Sequence, residues 1–134
     1  MTLIAISIII YALLIFGVVA IQAGYASVTA GTAFGFSNRD APQPGMGPAG
    51  RRIDRTLGNL KEGAIMYLPL AITAVALDIS NGWTFYAALA TILSRVLYVL
   101  IFLVGIQTIR TFVWVPSFAA IPAMAVGIMV GQPL

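Results

Sequence analysis

An uncharged apolar run at the start of the chain constrains the fold more than any other feature. Residues 3–23 contain no charged side chain over 21 positions. About 20 apolar residues are enough for one helix to cross the hydrocarbon core of a bilayer. A cleaved signal peptide is the alternative, but no Lys or Arg precedes the run, which is longer than the usual apolar core of about 7–15 residues. We therefore expect a first transmembrane helix at residues 3–25.

The composition agrees with a membrane protein. Of 134 residues, 60% are hydrophobic and 8% are charged, whereas soluble domains have about 25% charged residues. The chain has no Cys and no His, which excludes disulfides, Cys or His metal ligands and a Ser-His-Asp triad within it. We predict no metal site. The net charge of +3 is attributed to membrane topology and not to nucleic-acid binding.

Further apolar runs predict a four-span bundle. We expect these spans at residues 53–78, 83–106 and 111–131. The second span has only 14 apolar residues, 64–77, and is long enough only if its helix begins near Ile53 and enters the membrane near Glu62. The Gly- and Pro-rich residues 35–52 are expected to form a loop. The predicted fold class is all-α, one membrane domain over residues 1–134.

The basic residues predict the orientation of this bundle. Six of the seven lie in or near the first and third loops, and the seventh is Arg95 in the third span. Loops one and three are on the same side of a four-span protein, so the positive-inside rule places both in the cytoplasm. Both termini are then expected on the non-cytoplasmic side.

The charged segment 51–62 contains six of the eleven charged residues. On a helix at about 100° per residue, several polar residues of this region share one face. We call this set the charged stripe: Arg52, Arg55, Asn59, Glu62 and Met66. It has more cationic than anionic groups and runs from the cytoplasmic surface into the membrane. We expect an anionic, polar cosubstrate on the arginines and a lipophilic partner that approaches from the bilayer.

A second stripe is predicted on the third span, where Arg95, Tyr98, Phe102 and Gly105 follow helical spacing. An unpaired charge at the depth of Arg95 costs about 2.5 kcal/mol or more. Glu62 is the carboxylate expected to pair with it.

Less specific interpretations also fit these charges. A pair of Arg95 with Glu62 is equally explained as a buried ion pair that fixes helix register. For Arg51, Arg52 and Lys61 we favour a role in topology and in contacts to lipid headgroups.

Two segments resemble a known family. They are "NRDAPQPGMGPAGRRIDRTLGNLKEGAIMYLPLA", residues 38–71, and "SRVLYVLIFLVGIQTIRTFVW", residues 94–114. Their order and spacing resemble the MAPEG family, the membrane-associated proteins of eicosanoid and glutathione metabolism, and above all its bacterial branch. The resemblance implies a homotrimer of four-helix subunits in the bacterial inner membrane, with glutathione bound at the subunit interface near the cytoplasm.

The resemblance also assigns roles to individual residues. Arg55 matches the arginine that holds a glutathione carboxylate, and Asn59 matches an asparagine of the same helix. Glu62 matches the glutamate that meets the γ-glutamyl amino group. Arg95 and Tyr98 match the arginine and first tyrosine of the third-helix motif.

The catalytic residue implied by the resemblance is Arg110, which is close to the arginine that stabilises the glutathione thiolate. A cation beside a thiol favours the thiolate, which is the nucleophile. Because the chain has no His, activation of the thiol by positive charge is preferred to general-base catalysis.

The chain departs from the family pattern at several positions. Phe102 replaces a tyrosine, Leu57 a glutamine found in some members, Gly63 a larger residue and Thr56 an alanine. These changes remove polar contacts from the expected pocket and leave its charges in place.

Three functions are considered. The first is a glutathione-dependent transferase or peroxidase that acts on lipophilic electrophiles. The second is a non-catalytic member that binds lipid or serves as an accessory subunit of a larger membrane complex. The third, a small multidrug transporter, fits less well because its first span has no acidic residue for proton coupling.

Overall fold

The computed structural model describes residues 1–106 and 109–131, and of Arg110 only the backbone. Within these residues the chain forms helices and no strand. The helices are α1 (Leu3–Ala30), α2 (Thr32–Gly35), α3 (Pro48–Ala76), α4 (Gly82–Val104) and α5 (Ile109–Gly131).

Local sequence explains where these helices begin and end. Thr2 caps α1 with its side-chain oxygen. Asn81 begins α4 with a capping box, in which Asn81 and Thr84 exchange side-chain and backbone hydrogen bonds. α4 ends at Gly105, whose φ of +94° is a left-handed conformation that glycine adopts without steric cost.

The loop expected at residues 35–52 is shorter than predicted. α2 ends at Gly35, and α3 already begins at Pro48, so residues 48–52 are helical and that part of the prediction was wrong. The reason is that proline fits the first turn of a helix, where its missing N–H has no partner to lose. α1 also continues to Ala30, beyond the limit of 25 expected for the first span.

The helices pack as a bundle in which α4 contacts α5 most extensively and α1 contacts α3. The core contains apolar and aromatic side chains from every long helix. The largest that are fully buried are Tyr11, Tyr67, Ile4, Leu60, Met124 and Val18.

The outer surface is apolar, as in proteins that face lipid. Large side chains such as Phe16, Leu100 and Phe112 are more than half exposed. Among the described residues, three helices are long and apolar enough to cross a membrane, α1, α4 and most of α5. These are the features of an integral membrane protein. α3 has 29 residues, but its first half carries the charges, so a fourth crossing stays a prediction.

Candidate functional site

The charged stripe on α3 is divided between two environments. Arg52 and Asn59 are half-buried, whereas Arg55, Glu62 and Met66 are exposed. Residues seven apart lie nearly in line on a helix, so positions 52 and 59 form one edge of the stripe and positions 55 and 62 form the other. The edge with positions 52 and 59 therefore faces α4, and the edge with positions 55 and 62 faces the exterior of the subunit.

Arg95 is held by the inner edge. Its side chain is 2% exposed, and its Nη1 donates a hydrogen bond to the Asn59 side-chain oxygen at 2.6 Å. Its guanidinium carbon lies 5.9 Å from the centre of the Tyr11 ring. The Nε atom is buried without a hydrogen-bond partner in the described part of the chain.

The expected pairing of Arg95 with Glu62 was wrong. Glu62 is on the exposed edge of α3, and among the described residues the Asn59 amide oxygen takes its place. The physical reason is the helix periodicity: α4 faces the line through residues 59 and 63, and residue 62 lies about 100° away from residue 63.

Gly63 allows the arginine to approach α3. A Cβ atom at this position would meet Arg95 Nη2 at 2.5 Å and would also contact the Tyr11 hydroxyl. That hydroxyl donates to the Leu60 carbonyl at 3.0 Å. Gly63 stands where the family pattern has a larger residue, and at this position Tyr11 and Arg95 pack closely against the α3 backbone.

Tyr98 lies one turn further along α4. Its ring packs against Phe102, with 5.4 Å between ring centres. Both residues line a cavity of about 150 Å³ together with Asn59, Thr111 and Trp114. This cavity joins α3, α4 and the first two turns of α5.

The predicted catalytic residue also lies in the first turn of α5. Arg110 is the second residue of α5, but its side chain lies outside the described residues. Its backbone position places it at the end of the bundle where α4 terminates.

A second small cavity, of about 210 Å³, is lined by three arginines. We call it the arginine pocket, and its lining residues are Pro48, Arg51, Arg52, Arg55, Phe102, Gly105 and Ile106. It lies between the first turns of α3 and the end of α4. Arg55 is thus separated from the Asn59–Arg95 pair and grouped with two other arginines.

A larger cavity, about 610 Å³, lies elsewhere. It is between the first half of α4 and the middle of α5, and its lining includes Trp83, Tyr86 and several alanines but no charged residue. None of its lining residues is a cation that would bind an anion, so we place the candidate site at the opposite end of α4.

Two residues of the site were not identified from the sequence. Tyr11 is the residue of α1 that contacts Arg95, and Ser7 hydrogen-bonds to Tyr67 beside it at 2.6 Å. Polar residues at positions 7 and 11 of an otherwise apolar run share a helix face, and this spacing is the pattern that indicates an inward-facing stripe.

Residues 1–130 of the chain match the sequence model of the MAPEG family. The match includes every site residue described above, from α1 to the start of α5. No curated protein and no solved structure matches the chain.

Proposed function

Since the chain belongs to the MAPEG family, we propose that it is a glutathione-dependent membrane transferase or peroxidase that acts on lipophilic electrophiles. The observation that carries this proposal is the exposed edge of α3, where Arg55 and Glu62 are seven residues apart on one face. Seven residues correspond to about 10 Å along a helix axis. An extended tripeptide spans about the same length, so the two charges are spaced like the ends of glutathione.

The charges also have the right sign for glutathione. The Arg55 guanidinium binds a carboxylate with two parallel hydrogen bonds. The Glu62 carboxylate pairs with the ammonium group of the γ-glutamyl residue. Asn59, Arg95 and Tyr98 lie behind this ligand site, on the inner side of α3, where Arg95 holds the Asn59 side chain in place.

In the proposed transfer reaction the thiol of glutathione loses its proton to water, and the thiolate attacks an electrophilic carbon. A C–S bond forms and the leaving group departs with the electron pair. Arg110 lowers the free energy of the thiolate by its positive charge. In the peroxidase reaction two glutathione thiols are oxidised to a disulfide while a hydroperoxide is reduced to an alcohol and water.

The proposed assembly is a homotrimer in the bacterial inner membrane. The exposed edge of α3 meets a second subunit, and glutathione lies between the two. The first and third loops face the cytoplasm, where glutathione is available, and the lipophilic substrate enters from the surrounding lipid.

Glutathione binding to the purified protein in detergent, measured by calorimetry, tests the proposal. We expect a dissociation constant in the millimolar range or below, and at least tenfold weaker binding for Arg55→Ala. Lys61→Ala is the matched control, because it removes one exposed positive charge from the same helix outside both cavities. A folded parent protein that does not bind glutathione would contradict the proposal.

The Arg110→Ala variant tests whether Arg110 acts in the chemical step and not in glutathione binding. We expect conjugation of a lipophilic electrophile to be lost while glutathione binding and the oligomeric state are retained, because Arg110 acts on the thiolate. Unchanged turnover in this variant would rule out the proposed role of Arg110.

The second candidate is a non-catalytic member of the family that binds lipid or serves as an accessory subunit of a larger membrane complex. It is favoured by the engagement of Asn59 and Arg95 with each other and by the lack of a hydroxyl at Phe102. A partner protein that copurifies in stoichiometric amount in mild detergent, together with no glutathione binding, would support this candidate.

A further inference from the structure

The arginine pocket concentrates positive charge that the described residues do not neutralise. The Arg51 side chain donates to the Met46 carbonyl at 3.4 Å, and Arg52 Nε is buried without a partner among the described residues. The nearest acidic residue in the sequence, Asp54, accepts a hydrogen bond from Gln22 at 2.8 Å instead. In the described part of the chain, three guanidinium groups therefore border a cavity with no carboxylate paired to them.

Arg52 packs against the end of α4. A Cβ atom at Gly105 would lie 3.3 Å from the guanidinium carbon and from Nη1 of Arg52. The glycine that terminates α4 thus leaves space for the flat face of this guanidinium. The same contact aligns Arg52 with a pocket that spans two helices.

The rim of the pocket is apolar on the side of α4. Ile106 lines the pocket and is 45% exposed. Val104, the last residue of α4 and two positions before Ile106, is 73% exposed. A ligand that fits both surfaces has an anionic head for the arginines and a hydrocarbon part for Val104 and Ile106. A small soluble anion would use only the first of these features.

We infer that the arginine pocket binds the headgroup of an anionic phospholipid of the surrounding membrane, chiefly through Arg51 and Arg52. Arginine binds phosphate oxygens in a bidentate manner, and basic pockets between transmembrane helices on the cytoplasmic side bind anionic headgroups. A zwitterionic headgroup fits less well because its cation would lie beside three arginines. This inference does not depend on the proposed glutathione chemistry.

The test is a titration of phosphatidylglycerol into the detergent-solubilised protein, with the thermal unfolding midpoint followed by the helical circular dichroism signal. A ligand that binds the folded state raises this midpoint. We expect a rise with phosphatidylglycerol and a much smaller one with phosphatidylcholine. Arg51→Gln/Arg52→Gln should need about thirtyfold more phosphatidylglycerol for the same shift.

The matched control is Arg39→Asn/Lys61→Gln, which also removes two positive charges but no residue of the pocket. Asparagine suits position 39 because its φ is +54°. The control should respond to phosphatidylglycerol like the parent protein. If both double variants lose the response equally, net charge and not the pocket is responsible, and the inference fails.

Two further measurements separate the sources of the anion. Equal shifts with phosphatidylglycerol and phosphatidylcholine, or an equal shift with inorganic phosphate alone, would overturn the assignment to an anionic lipid. A shift with glutathione but none with phosphatidylglycerol would also overturn it. If the double variant does not fold, Arg51→Gln alone serves, because this side chain is exposed, and it should need several-fold more lipid.

Discussion

Gly63 is the residue on which the buried arginine depends most directly. It is buried between α1 and α4, and the space that a side chain would fill is occupied by Arg95 and the Tyr11 hydroxyl. Buried arginines are costly unless their hydrogen bonds are satisfied. A larger residue here would separate Arg95 from Asn59, so the absence of a side chain at residue 63 determines the local polar arrangement.

Gly63→Ala is expected to lower the free energy of unfolding by about 1–3 kcal/mol, the usual cost of an overpacked core. Gly58→Ala on the same helix is the control, because nothing lies within 4 Å of a Cβ at that position. That change should be neutral or stabilise by up to about 1 kcal/mol, since alanine favours the helix. Thermal unfolding in detergent measures both, and equal midpoints for the two variants would contradict this account.

At the level of elements, the far end of the bundle is held by the start of α4. Asn81 caps α4 through the Thr84 backbone N–H at 3.1 Å. Its amide nitrogen also donates to the Gly127 carbonyl of α5 at 2.8 Å. Gly127 lies directly against Trp83 and Thr84, so one side chain joins a helix start to its neighbour. The candidate site is at the other end of α4. The contacts of Asn81 affect it only through the packing of α4 on α5.

Asn81→Ala is expected to destabilise the protein by about 0.5–2 kcal/mol for the lost cap and about 0.5–1.5 kcal/mol for the lost bond to α5. Asn81→Ser retains a capping oxygen and should lose only the second contribution. Asn38→Ala, in the exposed first loop, should have no measurable effect on chemical unfolding in detergent. A serine variant as unstable as the alanine variant would show that the cap contributes little.

For the whole molecule, the arrangement in the membrane follows from the distribution of charge and apolar surface. The exposed surface of α1, α4 and α5 is largely apolar, while four of the seven basic residues lie in the first half of α3. If α3 also crosses the bilayer, its two ends are on opposite sides. Ser37 and Ser80 are exposed residues in the loops before and after α3, and the chain has no native cysteine.

Single cysteines at these two positions test the proposed topology. In intact cells, a membrane-impermeant maleimide should label Ser80→Cys, because the second loop is expected outside. Ser37→Cys should be labelled only after the membrane is permeabilised, because the first loop is expected in the cytoplasm. Labelling of both variants in intact cells would mean that α3 does not cross the membrane.

The sequence by itself determined the helical membrane class and the family. Both depend on composition and on the order of residues along the chain, such as the uncharged run at residues 3–23. Helical periodicity also placed Arg55, Asn59 and Glu62 on one face of α3, since that requires only the geometry of a single helix.

Only the tertiary structure decided which residues of that face are partners. Whether Arg95 meets Asn59 or Glu62 depends on the direction from which α4 approaches α3, and a rotation of α3 by about 60° exchanges the two. The same packing brings Tyr11 from α1 to Arg95 and Gly105 to Arg52 across long stretches of chain. Helix periodicity is local, but the rotation of one helix against another is set by the fit of all the buried side chains between them.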